Sequence, residues 1–271
     1  MRVFHRIVGA VDLSESSRYV KSWAEGLART LGDAVDYVGV FPKFPDIYMT
    51  VLGWNRQFLD NINRAKTEMF QSMSRRFGRD GSRVHELEGI PDETIARFAE
   101  DRRASLIVMG FRGAGKSRIP IGSTALGVIR KSSKNVLLVN SEFSPPKRIA
   151  VTHSFKPTDK KALLIASAMA KSFGATLYRI HVIDSHFYGL IPEDLKAELK
   201  FEIEMELSKS VPGVETVPVV LDGDVPMELA HWSAKNDMDL VVFGSEPNRI
   251  GLAIQEFLMQ TVNNVLVCRG L

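Results

Sequence analysis

The chain has 271 residues, 45% of them apolar and 25% charged, with a formal net charge of +3. That length allows one large domain or two of about 135 residues, and the composition is that of an ordinary soluble globular protein. No run of about 18 or more apolar residues occurs, which excludes an apolar membrane-spanning helix.

The charge is unevenly spread. Residues 1–141 carry 22 lysines and arginines against 15 acidic residues, and residues 142–271 carry 13 against 17. A basic first half suits a small polyanionic ligand. No basic run is interleaved with aromatics, so no nucleic-acid partner is expected. The start, Met1 to Arg6, lacks the apolar stretch and cleavage site of a secretory signal. The single cysteine, Cys268, has no intrachain partner. Both features lead to the expectation of a cytoplasmic protein.

In chain order the predicted elements come twice. Arg6–Val11 and Arg148–Val151 read as buried strands, and each leads into an amphipathic helix, Ser16–Leu31 and Thr158–Phe173. Ser16 and Thr158 are the expected N-caps, and Gly32 and Gly174 the expected stops. Strands Val35–Phe41 and Thr176–Ile183 follow, then charged helical stretches near Asn55–Phe77 and Glu193–Ser210. Third strands lie near Arg83–Leu87 and Glu215–Leu221. Each copy then places Gly and Pro close together, Gly89 with Pro91 and Gly223 with Pro226, ahead of helices Asp92–Asp101 and Met227–Asn236. The fourth strands are Leu106–Gly110 and Leu240–Gly244, and the last are Val136–Val139 and Val265–Val267. Continuous apolar strands alternating with amphipathic helices imply an α/β fold of parallel five-stranded sheets covered on both faces. The division is expected in the Ser- and Pro-rich segment Asn140–Lys147, giving domains 1–141 and 142–271.

The most telling stretch runs from Val108 to Ser117 and on to Gly122-Ser123-Thr124. It joins an apolar strand, a glycine-rich loop and a helix start bearing small hydroxyls, the order that aims backbone amides at phosphate. Gly110-x-x-x-x-Gly115-Lys116-Ser117 satisfies the P-loop pattern in form. A P-loop must enter its helix directly at Lys-Ser, whereas here Arg118 to Gly122 intervene and the better helix start is Ser123. The alternative is Gly110-x-x-Gly113, a short arm, then Gly122-Ser123. Gly110 and Gly113 let the backbone approach a ligand. Gly122, Ser123 and Thr124 offer amides and hydroxyls where the helix dipole favours negative charge. Arg112 and Lys116 add positive charge. Turn-making alone would also account for these glycines, and Asp12 alone could be a helix cap; their co-occurrence carries the functional reading.

On these motifs the whole chain, twice over, resembles the universal stress proteins in their tandem two-domain form. The resemblance rests on a first strand ending in Asp12, a second carrying Val40, and Gly110-x-x-Gly113 followed by Gly122-Ser123. It implies two flavodoxin-like (adenine nucleotide alpha hydrolase-like) domains arranged as an internal pseudo-dimer, with the final strands meeting at the interface. By the same resemblance, Asp12 and Val40 would contact adenine, with Ala10 and Val11 lining that strand end. Met109, Gly110, Arg112, Gly113, Gly122, Ser123 and Thr124 would lie along ribose and phosphates. The ligand implied is ATP, with AMP or ADP as alternatives and Mg²⁺ as an optional companion. The arm departs from the family pattern, with eight residues between Gly113 and Gly122 where nine are usual.

The second copy keeps less. Ser154 falls where Asp12 stands, Ser245-Glu246-Pro247 replaces the glycine loop, and Gly251 is followed by Leu252. Glu246 would repel phosphate. Six residues separate Gly244 from Gly251, against eleven between Gly110 and Gly122, and Val182 alone survives on the base side. One nucleotide site per chain is therefore expected, in residues 1–141. No catalytic residues and no metal ligands are assigned; His181 and His186 straddle a strand end, and His231 is expected to be a partly buried packing residue. Trp54, Phe58, Met69, Phe70 and Met73 are expected in core or interface. Any ATP hydrolysis should be slow. Partners left open are a regulated protein and a second tandem chain. The contrasting expectation is a nucleotide-independent interaction scaffold, or a binder of another small, lipid-like ligand in the C-terminal domain. A P-loop NTPase, with fast Mg²⁺-dependent hydrolysis through Lys116, is the third.

Overall fold

The structure, a computed structural model, describes residues 3–31, 34–43, 55–78, 83–111 and 121–270. Gly32, Trp54, Arg112, Gly113 and Lys116 lie outside them. Ten strands form one sheet: β1 (Ile7–Ala10), β2 (Val35–Pro42), β3 (Arg83–Gly89), β4 (Leu106–Gly110), β5 (Asn135–Val139), β6 (Arg148–Thr152), β7 (Thr176–Asp184), β8 (Thr216–Gly223), β9 (Leu240–Ser245) and β10 (Asn264–Arg269). Their order is β3-β2-β1-β4-β5-β10-β9-β6-β7-β8. Every pairing is parallel except β5 with β10, where Val265 faces Leu138 and Val267 faces Val136. Two five-stranded parallel sheets thus join through the final strands.

Nine helices lie among the described residues: α1 (Ser16–Thr30), α2 (Arg56–Phe77), α3 (Pro91–Asp101), α4 (Ser123–Lys131), α5 (Asp159–Phe173), α6 (Ser185–Tyr188), α7 (Glu193–Leu207), α8 (Val225–Lys235) and α9 (Leu252–Gln260). The short α6 was not expected. Its start is fixed by Asp184, which accepts a hydrogen bond from the His186 amide at 2.8 Å. The remaining helices follow the predicted pattern within a few residues. The left-handed Gly174 caps α5 as expected, at φ 66°.

The inner strands are apolar on both faces, and each face of the sheet carries its own core. One core holds Trp23, Leu27, Tyr37 and Met73 with Ile149, Ala162, Met169 and Cys268. The other holds Ile95, Phe98, Ala125 and Ile129 with Leu229, Phe243 and Phe257. Both run through residues of both copies, so the junction is core and not a tether. The segment between β5 and β6 is also tied down. The Ser141 carbonyl accepts from Trp23 Nε1 at 3.0 Å, and Phe143 packs edge-on against Trp23 with ring centroids 5.1 Å apart.

Duplication extends to the backbone. Leu13 and Phe155 have φ of 66° and 60°, and Arg103 and Asp237 have φ of 52° and 49°, a region that non-glycine residues seldom enter. At the junction the copies answer each other again. Asn135 Oδ1 accepts from the Arg269 amide and Asn264 Oδ1 from the Asn140 amide, both at 2.9 Å. Their Nδ2 groups donate to Ser105 O at 2.8 Å and Asp239 O at 3.0 Å.

Two expectations are corrected. Glu15, not Ser16, is the N-cap of α1 and makes no side-chain cap hydrogen bond, while Thr158 holds the expected N-cap position of α5, in helical conformation, and makes none either. The loops before both helices are instead closed by contacts described below. His231 is exposed on α8 and does not pack. On α2, Phe70 and Met73 are buried and Met69 is partly so, while Phe58 near its start is only half-buried.

Candidate functional site

In the first half the strand order reverses between β1 and β4, so a crevice opens at their carboxyl ends. Register places Ala10 beside Met109 on β4 and beside Val38 on β2. The Val11 amide donates to Val38 O at 3.0 Å, which carries β1 one residue further before Asp12 emerges. Ala10, Met109 and Val40 belong to the α3/α4 face of the sheet, together with Ile121 and Ala125. Ala10, Val11 and Met109 are buried, Val40 and Gly110 half-buried, and Asp12 exposed.

The glycine loop leaves and returns at one point. Phe111 and Ile121 are both buried, and the Gly122 amide donates to Phe111 O at 2.7 Å. Gly122 then acts as the N-cap of α4, with φ −70° and ψ 147°. Any residue can adopt that conformation, so the backbone alone does not call for glycine there. The Gly122 carbonyl takes the Leu126 amide at 3.1 Å. The amides of Ser123, Thr124 and Ala125 precede that first helical bond, as at every helix start. Ser123 is exposed and Thr124 half-buried. Of the eleven candidate residues, nine therefore gather at one sheet edge. Arg112 and Gly113 lie outside the described residues. The P-loop alternative meets a physical obstacle, because α4 begins at Ser123 and not at Lys116-Ser117.

The sequence did not disclose how Asp12 is held. Its Oδ1 accepts from the Ser14 amide at 3.0 Å, the Ser14 hydroxyl at 2.5 Å and the Ser17 hydroxyl at 3.1 Å. Ser17 Oγ in turn accepts from the Asp12 amide at 3.0 Å. These bonds fix the carboxylate at the strand end. A signal existed in the Asp12-x-Ser14-x-x-Ser17 spacing, since Asp and Ser side chains bond to nearby backbone in such loops.

In the second half Ser154 stands where Asp12 stands, and Asp159 where Ser17 stands. The Ser154 amide donates to Asp159 Oδ2 at 2.8 Å, its hydroxyl to Oδ1 at 3.0 Å, and the Lys156 amide to Oδ2 at 3.0 Å. The carboxylate has moved from the exposed strand end to a buried helix start. The replaced glycine loop is locked as well. The buried Arg269 guanidinium donates to Glu246 O at 2.8 Å, Arg249 O at 2.6 Å and Ser245 Oγ at 3.2 Å, and also to Ile129 O at the end of α4. Burial pushes its pKa down to about 10.

A cavity of about 420 Å³ remains beside this loop, walled by Ile180, Val182, Leu229, Phe243 and Ile254, with His153 and His181 at its mouth. His181 Nδ1 lies 2.7 Å from the His153 carbonyl, while His153 Nδ1 is buried without a hydrogen-bond partner. Desolvation lowers the His153 pKa, so it is neutral at pH 7. Among the described residues no group of three or more potential ligands could hold a metal.

The profile of the universal stress protein family matches residues 4–140 and again 146–266. A universal stress protein of Methanocaldococcus jannaschii is 29% identical over 140 residues, covering 51% of this chain and 82% of its own length. A universal stress protein E homolog of Haemophilus influenzae is 29% identical over 143 residues, covering 49% of this chain and 46% of its own length. Among solved structures, a universal stress protein from Archaeoglobus fulgidus superimposes with a TM-score of 0.70 at 21% identity, covering 97% of this chain and 98% of that one. Another, described as a putative universal stress protein of Pseudomonas aeruginosa, gives 0.66 at 13% identity over 98% of this chain and 94% of that one. With the family pattern matched twice along its length, the chain belongs to the universal stress protein family.

Proposed function

We propose that the chain is a stress-responsive adenine-nucleotide binding protein with one ATP site, in residues 1–141, and a degenerate second copy in 142–271. The observation that carries this reading is the gathering of Ala10–Asp12, Val40, Met109–Gly110 and Gly122–Thr124, with the start of α4, at the carboxyl ends of the strands about one switch point. A glycine at an N-cap whose backbone does not demand it fits the close approach of a phosphate. Asp12 would accept from an adenine amino group, Val40 would pack on the ring, and Arg112 would add positive charge near the phosphates. Mg²⁺ would enter as the nucleotide's own counter-ion. AMP or ADP could take the same place.

Nucleotide occupancy would bias the conformation of the Ala114–Ile121 arm and so shift association with a protein partner or a second tandem chain. No general base is assigned, so hydrolysis is slow at most and the protein acts as a regulatory module in the cytoplasm. In titration calorimetry one ATP binds per chain. Replacing Gly113 or Gly122 with Val abolishes the heat of binding while unfolding stays cooperative. Two equal sites per chain, or full affinity in a folded variant, overturns the reading.

A second reading is favoured by the C-terminal cavity. Its walls are mainly apolar, and Glu246 sits at its edge where phosphates would lie. That combination suits a small, largely apolar ligand in a nucleotide-independent scaffold. Mass spectrometry of material extracted from the purified protein separates the two: adenine nucleotide supports the first reading and an apolar compound the second.

A further inference from the structure

The second copy carries a cluster that the first replaces with apolar residues. Register pairs Gly9 with Tyr37 in the first copy and Val151 with Arg179 in the second, so Arg179 stands where Tyr37 stands. By the same register His153 answers Val11 and His181 answers Gly39. In the first copy, Tyr37 packs with Met73 and Phe77 of α2 in the main core. In the second, Ile203 and Leu207 of α7 form a separate small cluster with Ile183. Arg179 sits on the same sheet face, where the core is interrupted.

Arg179 is 3% exposed, yet no carboxylate lies within ion-pair distance of it among the described residues. One guanidinium nitrogen donates to Lys209 O at 3.0 Å, and its Nε is buried with no partner. A buried cation in that condition is costly. It lines a cavity of about 530 Å³ between the β6–α5 loop, α5 and the end of α7. Lys156, Lys160 and Lys209 stand around that cavity, with Phe155 and Leu163 as apolar wall. Of the two acids facing it, Asp159 is engaged by the Ser154 and Lys156 donors, while Glu206, paired with Lys209, also acts on Arg179 through its charge without forming an ion pair with it. The cavity lies on the opposite sheet face from the candidate adenine position, which Val182 marks with the other core. Its counterpart in the first copy, lined by Leu13, Arg18, Lys21 and Arg76, has Phe77 in its wall and no buried unpaired cation.

We infer that the cavity over Arg179 binds a small oxyanion, the phosphate or carboxylate group of a compact metabolite. The Arg179 guanidinium lines the cavity and can donate to such a group from its terminal nitrogens, and the lysines supply the surrounding field. The site adjoins the 420 Å³ cavity, with which it shares His153, Lys156 and Asp159, and is separate from the nucleotide pocket proposed in residues 1–141.

The test uses the full chain in low salt, with thermal unfolding and calorimetry against inorganic phosphate, phenyl phosphate and benzoate. The three probes separate free phosphate from an organic phosphate and from a carboxylate. At least one raises the unfolding temperature of the wild type by mass action, and Arg179→Met removes that part of the response. Phosphate held by the glycine loop instead would protect wild type and Arg179→Met equally, which overturns the proposal, as does no protection by any probe. Two further variants, at exposed Lys160 and half-buried Glu206, decide the matter if Arg179→Met fails to fold. Lys160→Ala weakens the responding anion by about three- to tenfold, and Glu206→Gln tightens it by a similar factor. Unchanged affinity in both overturns the site.

Discussion

Ser154 and Asp159 make, with roles exchanged, the contact that Asp12 and Ser17 make in the other copy. Both pairs tie the residue after the first strand to the residue five positions on, in the first turn of the next helix. Such a loop needs one acceptor able to take several donors, and the carboxylate can sit at either end. In the first copy it sits at the exposed strand end, where a ligand can reach it; in the second it is buried and spent on structure. Asp159→Ala strands the Ser154 and Lys156 amides and costs about 2–4 kcal/mol. The double exchange Ser154→Asp with Asp159→Ser restores most of that loss by rebuilding the first copy's arrangement. Urea unfolding of the two single variants and the double closes the cycle, and strict additivity would refute the exchange.

The two asparagines at the junction make matching contacts, so their removal should cost alike. Asn135→Ala orphans the Arg269 amide and Asn264→Ala the Asn140 amide. Each buried loss is worth about 1–3 kcal/mol. The contacts lie at opposite ends of the β5–β10 ladder, roughly 15 Å apart at strand rise, so the double variant should be additive. Denaturation midpoints of the three variants check this.

Arg269 holds the shortened β9–α9 loop shut. Arg269→Met removes its donors to Glu246 O, Arg249 O and Ile129 O together. The loop should then open well below global unfolding. Arg249 is largely exposed and carries a tryptic cleavage site. Limited trypsin digestion should cut after Arg249 much faster in the variant than in the wild type, and equal rates would remove Arg269 from this role.

Continuous apolar strands and the repeated helix pattern made the two sheets legible from sequence, whereas the pairing of Val136–Val139 with Val265–Val267 was implied only by the family resemblance. The Gly110, Gly122 and Asp12 positions were legible because their spacing is a local pattern. What was not legible depends on residues far apart in sequence. The lock on the second loop comes from Arg269, twenty residues beyond Arg249, and from a carbonyl on α4. The start of α1 was misread because Ser16 looks like a cap, and Thr158 caps α5 in position only, whereas Asp12, Ser17 and Asp159 close the loops from positions that cap rules do not weigh. Arg179 was not singled out in the sequence; only register puts it where Tyr37 stands in the first copy.

Alkaline pH should destabilise the fold through two buried acids that stay protonated. Complete burial pushes the Cys268 thiol up to about 12 from its ordinary value of 9.0. Burial, with Glu25 nearby, pushes the Tyr37 phenol up from its ordinary 10.0. Below pH 9 both groups are protonated whether the chain is folded or not, and neither makes stability depend on pH. Above those ordinary values the unfolded chain releases protons that the folded chain keeps. The unfolded state then binds fewer protons, and stability falls with pH by up to about 1.4 kcal/mol per pH unit for each group. The Cys268 share runs from about pH 9 to about 12, and the Tyr37 share begins near pH 10. Cys268→Ala should flatten the first part of the fall and Tyr37→Phe the later part, as read from urea midpoints between pH 7 and 11. The same burial keeps Cys268 from thiol reagents at neutral pH, so its labelling rate should track unfolding; fast labelling of the folded protein would contradict the burial on which the pH slope depends.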